Sequence, residues 1–135
     1  MNVISWPRTL FIVLWFAAFI APAAAAIESA NDLLSACEDF ERNAKVQGGQ
    51  ISITNSVSGF HASECLGYMG AFQHISVFDG SDGTPILKAC LPSTTTRTQL
   101  IRVFTNYARS HPERLHIQAG VIATKALQSA FPCAH

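Results

Sequence analysis

The sequence predicts an all-α, disulfide-stabilised small domain of four to five helices. Three observations carry that expectation. Apolar residues recur at helical spacing in four separate stretches of the 135-residue chain. Turn-forming Gly and Pro residues divide those stretches. Four cysteines, an even number, sit in a short chain with a leader-like start and in no C-x-x-C pair. That pattern reads as two structural disulfides rather than as a zinc ribbon or a thioredoxin motif.

The leader occupies residues 1–26. Arg8 is its only charge, and an apolar stretch follows at Leu10–Ala21. That stretch is about a dozen residues, short of the ~20 that span a bilayer. Pro22 breaks it, and Ala23–Ala26 supply an A-x-A cleavage site, placing cleavage after Ala26 or Ala25. No Cys follows at a lipoprotein position. Residues 27–135 then form a single domain with a core small enough to benefit from covalent ties. Losing Arg8 leaves that part with a net charge of −1, from a chain with 9 basic and 9 acidic residues. Such balance offers no electrostatic footprint for nucleic acid or for an anionic membrane.

The first helix is expected over about Ser29–Lys45. Leu33, Leu34, Cys37, Phe40 and Ala44 make its apolar stripe, Ser29 and Asp32 resemble a capping start, and Gln47-Gly48-Gly49 ends it. Gln50–Ser58 alternates weakly through Ile51, Ile53 and Val57. A lone strand is marginal, so this piece reads as an extended polar loop, with a one-turn helix as the alternative. The second helix is expected over about His61–Phe78, with Cys65, Tyr68, Met69, Phe72 and Ile75 on its apolar side. Gly67, Gly70 and Ala71 let a neighbouring helix approach closely. Asp79–Pro85 is a loop, since every residue in it suits a turn.

The third helix starts near Thr96, with Gln99 completing a capping box. Leu100, Val103, Phe104, Tyr107 and Ala108 share one face. The fourth starts at Ser110 or His111, with Pro112 in its first turn, and buries Leu115, Ala119, Ile122, Ala126, Leu127 and Ala130 until Pro132 stops it.

Four cysteines allow three connectivities, and the sequence alone does not choose. Antiparallel hairpin geometry favours Cys37–Cys65 with Cys90–Cys133. The runner-up is Cys37–Cys90 with Cys65–Cys133.

The residues carry little sign of catalysis. The five histidines, His61, His74, His111, His116 and His135, show neither H-x-x-x-H nor H-E-x-x-H spacing, so no metal site is expected. No nucleophile elbow or dinucleotide fingerprint occurs, and no cofactor is implied. Glu38, Asp39, Glu41 and Glu64 read as solvated helix faces rather than as a carboxylate pair flanking a groove. The expected protein is not an enzyme.

Several strings taken in order resemble the Tai/Rap family of type VI secretion amidase immunity proteins. They are Leu34 and Cys37 in the first helix, C-L-G-Y-M-G at Cys65–Gly70, C-L-P at Cys90–Pro92, Thr98-Gln99-Leu100, N-Y-A-R-S-H-P-E-R-L at Asn106–Leu115, and A-L-Q-S-A-F-P-C at Ala126–Cys133. The resemblance implies an all-α periplasmic protein, commonly a homodimer, that binds a toxic peptidoglycan amidase and blocks its cleft. The implied mechanism is steric: a protruding loop fills the enzyme's groove. Two segments qualify, Gln47–Gly59 with Asn55, Ser56 and Ser58, and Asp79–Pro85 with Asp79, Ser81, Asp82 and Thr84. The string Cys37-Glu38-Asp39-Phe40 also resembles acid-stress chaperones of the HdeA type. Few charged residues and four cysteines rather than two argue against acid-triggered opening.

Overall fold

The computed structural model describes residues 26–53 and 56–133. Apart from Ala26, the expected leader lies outside the described residues. Helix α1 spans Ala30–Asn43. Its start is fixed by a reciprocal cap: the Ser29 N–H and hydroxyl donate to Asp32 Oδ2 at 2.9 and 2.7 Å, and the Asp32 N–H donates to Ser29 Oγ at 3.3 Å. These donors, the Ser29 N–H above all, hold the Asp32 carboxyl below its ordinary range.

The chain then turns extended. Strand β1 (Ala44–Gln47) pairs antiparallel with β2 (Gln50–Ile53), with Val46 opposite Ile51 and Gln47 opposite Gln50. Gly48 and Gly49 connect them at φ +56° and +80°, a conformation that side-chain-bearing residues resist. This hairpin corrects the all-α expectation. The protein is mostly helical but carries a two-stranded antiparallel sheet. The residues expected to end the first helix instead form the partner strand for Gln50–Ile53. The period-2 face Ala44/Val46 meets Ile53/Ile51, and a Gly-Gly pair between two such runs is a hairpin signal.

Helix α2 runs Ser56–Ile75, starting before His61 and stopping before Phe78. Asn55 lies outside the described residues, as do the side chains of Ser56 and Ser58. The backbone at Ser56 and Ser58 is helical, so Gln47–Gly59 is not one loop. The C-L-G-Y-M-G string has a packing explanation. Cys65 and Met69 are wholly buried, a Cβ at Gly70 would sit 3.0 Å from Arg97 Nε, and the Tyr68 hydroxyl lies where a Cβ at Gly120 would be 3.3 Å away. Ile75, expected in the apolar stripe, is exposed.

Helix α3 spans Arg97–Ser110, capped by Thr96 Oγ1, which accepts from the Gln99 N–H at 3.2 Å. Its buried face is Leu100, Ile101, Phe104, Thr105 and Ala108. Val103 and Tyr107, expected inside, are only partly buried. A 3₁₀ turn at Pro112–Arg114 follows, and α4 begins only at Ala119, running to Ala130. The fourth helix therefore starts later than expected from Ser110 or His111. The reason lies in α1's first turn, whose N–H groups need acceptors. The Ala30 and Asn31 N–H groups donate to the carbonyls of Ile117 and Leu115 at 2.8 and 2.9 Å, and the Ala119 N–H donates to Glu28 O at 2.9 Å. The turn and bend at 115–117 and the Ser29–Gln118 bridge hold this stretch across the start of α1, so regular helix begins only at Ala119.

Helix α1 packs against α2, α3 and α4, and α3 packs on α4. Leu33, Cys37, Cys65, Met69, Leu100, Phe104, Ile122 and Leu127 fill the shared core. Disulfides join Cys37 to Cys65 and Cys90 to Cys133. The first lies in the core between α1 and α2. The second ties the segment ahead of α3 to the chain after α4.

Candidate partner-binding surface

The segment between α2 and α3 has no helix or strand, yet it is internally bonded. Asp79 and Pro85 form an isolated bridge. The Gly80 N–H donates to Thr84 O at 2.7 Å, and the Gly83 N–H donates to Gly80 O at 3.0 Å. Gly83 sits at φ +73°, where glycine relieves strain. Asp82 Oδ1 accepts from the Thr84 N–H at 3.0 Å and from its hydroxyl at 2.8 Å, an Asx-type turn. The Thr84 N–H first, then the Thr84 hydroxyl, hold the Asp82 carboxyl below its ordinary range, and Lys88 adds to this.

The base of the loop is fastened as well. The Ile86 N–H donates to Phe78 O at 3.0 Å, and the Lys88 N–H to Pro85 O at 2.7 Å. Leu87 and Ala89 insert into the core, Gln128 Nε2 donates to Leu87 O at 2.9 Å, and the Cys90 N–H donates to Phe131 O at 2.9 Å. The Cys90–Cys133 bridge lies on the same side. It lines an open groove of about 650 Å³ with Asp82, Thr84, Lys88 and Gln128.

Asp79, Ser81, Asp82 and Thr84 are therefore together and exposed on one braced loop. The backbone of Ser56 and Ser58 lies at the opposite end of α2. β2 precedes α2 and this loop follows it, so the 20-residue helix separates the two ends by about 30 Å. The sequence reading missed the apolar collar. Val77 is 76% exposed, Phe78 58% and Ile86 54%. The sequence places Phe78 at the end of the second helix, but that helix stops at Ile75. The available signal was three large apolar residues, Val77, Phe78 and Ile86, close on either side of a turn-rich segment.

The charged helix faces are used structurally. Arg109 Nε and Nη2 donate to Glu38 at 3.2 Å and Glu41 at 2.8 Å, linking α3 to α1, and the Thr105 hydroxyl donates to Glu41 at 2.9 Å. Arg42 pairs with Asp39 at 2.7 Å, and His61 lies 3.2 Å from Glu64. Among the described residues no group of three or more His, Cys, Asp or Glu is placed to hold a metal ion.

A core tied by one disulfide, a second disulfide at its edge and a loop closed by its own hydrogen bonds define a small, disulfide-bridged, mostly helical domain. The chain belongs to the Rap1a immunity protein family, whose model matches residues 29–133. No curated protein and no solved structure matches it. Immunity proteins of this family bind a partner effector, generally as inhibitors rather than as enzymes.

Proposed function

We propose that this chain is a periplasmic immunity protein that occludes a peptidoglycan amidase effector of type VI secretion. The loop Asp79–Pro85 enters the enzyme's groove and excludes substrate. One observation carries this reading: the loop is exposed, yet its turn is already closed by its own hydrogen bonds. Little ordering cost remains to be met on binding, which favours tight association. The family match supports a protein effector as the target. Two disulfides fit an oxidising compartment, and the leader-like residues 1–26 fit export to it, with residues 27–135 as the working domain.

A homodimer is part of the same proposal. The hairpin carries an unfilled apolar face. Val46 and Ile51, paired across the strands, are 47% and 38% exposed, and Val46 lines a groove of about 210 Å³ with Phe40 and Ile101. A second copy seated there leaves both loops free, because the hairpin and the loop lie at opposite ends of α2.

The test is a titration of peptidoglycan hydrolysis by a purified amidase with the purified protein. The proposal expects activity to fall linearly to zero at one equivalent. Undiminished hydrolysis at a large molar excess across amidases of this class would remove the amidase assignment.

A further inference from the structure

We propose that Val77, Phe78 and Ile86 anchor the effector, that Asp79 and Ser81 make the polar contact, and that Asp82 and Thr84 only hold the turn in shape. This rests on the reading of the loop as the inhibitory contact and divides its residues by role.

The division follows from which groups are already occupied. Asp82 Oδ1 accepts both the N–H and the hydroxyl of Thr84. Turning those groups toward a partner breaks the turn that presents them. Among the described residues, nothing bonds the Asp79 carboxylate or the Ser81 hydroxyl. Both are exposed and free to be used.

The apolar collar is fixed in place. The hydrogen bond from the Ile86 N–H to Phe78 O sets the two side chains beside each other at the loop's base. With Val77 they leave on the order of 300 Å² in water, comparable to the largest apolar patch of a typical monomer, which is often functional. That is under half of one side of a standard interface of ~800 Å² per partner. The exposed tip residues can supply the rest. A few side chains packed and desolvated near the centre of an interface carry most of its energy.

The occupant is the effector's cleft, with an apolar rim for Phe78 and Ile86 and a hydrogen-bond donor or cation facing Asp79. A second copy is the poorer fit. A two-fold contact through this patch brings two acidic tips, each with Asp79 and Asp82 and no basic residue between them, into one interface, where like charges oppose association.

The test uses purified peptidoglycan amidases as probes and calorimetry as the readout. The wild-type protein is compared with Val77→Ser, Phe78→Ser, Ile86→Ser, Asp79→Asn and Asp82→Ala. Phe78→Ser and Ile86→Ser should each weaken binding about tenfold or more while leaving thermal unfolding nearly unchanged, because these side chains are already exposed. Val77→Ser, at the most exposed of the three positions, provides the anchor test least able to disturb folding. Asp79→Asn should weaken binding less and reduce its salt dependence. Asp82→Ala should speed amide exchange at Thr84 and slow association. Full affinity in all three serine variants overturns the anchor assignment while leaving the amidase reading intact. Serine variants that dissociate a dimer instead overturn it in favour of a second copy. If the wild-type protein binds no amidase, the underlying reading fails and the anchor assignment falls with it.

Discussion

Removing each disulfide in turn should reveal that the buried bridge matters more, although loop-closure entropy ranks them the other way. Closing 28 residues through Cys37–Cys65 gives about 3.6 kcal/mol at room temperature, and closing 43 through Cys90–Cys133 gives about 4.0 kcal/mol. Burial reverses the order. Cys37 and Cys65 are both 0% exposed, packed in the core with Leu33 and Met69. Replacing both with Ala deletes two buried sulfur atoms, each comparable to losing a methyl group at about 0.5–1.5 kcal/mol. The inner double variant should therefore lose about 4.6–6.6 kcal/mol. Cys90 is exposed and Cys133 half-buried, so the outer variant should lose about 4 kcal/mol and little more. Against a total of ~5–15 kcal/mol, the inner loss approaches the whole stability of a small domain. Urea unfolding followed by circular dichroism measures both. The reasoning predicts a folded outer variant with a lowered midpoint and an inner variant that is barely folded or unfolded. An inner variant as stable as the outer one would refute the argument that core packing adds to the cross-link.

Other outcomes follow from single contacts. Ser29→Ala removes the side-chain cap of α1 and should cost about 1 kcal/mol in urea unfolding. Asp32 has a lowered folded pKa, so its contribution is present above the unfolded carboxylate value and is lost as pH falls through the folded one. Asp32→Asn should therefore flatten the decline of the urea midpoint between pH 5 and pH 2. Arg109→Ala breaks bonds to Glu38 and Glu41 on a side chain 46% exposed. It should cost at most about 1 kcal/mol, with the difference shrinking in high salt. Gly49→Ala forces a side chain into φ +80° at the hairpin turn. It should cost about 1 kcal/mol, seen as loss of the cross-strand amide signals of Val46 and Ile51.

Helix number, the two capped starts at Ser29 and Thr96 and the loop at Asp79–Pro85 were legible because each has a local signal: spacing, a capping residue, or turn residues. The cystine pairing was only a preference until the antiparallel neighbours were known. The hairpin was misread because Ala44 continues the helical stripe of α1. One residue satisfied two periods, and only pairing with Ile53 decides between them. The late start of α4 was invisible because the acceptors for Ala30 and Asn31 come from residues 115 and 117, far along the chain. Within the candidate surface, the polar tip was readable from composition. The division between free Asp79 and occupied Asp82 was not, since both are acids in the same loop. The collar was misplaced because Phe78 extends the apolar pattern of α2 beyond the point where the helix ends at Ile75.

Amide hydrogen exchange on the complex with an inhibited amidase tests the central claim most directly. The account predicts new protection across residues 77–88 and little change in α1 or α3. Protection confined to other elements, with residues 77–88 exchanging as in the free protein, would contradict it.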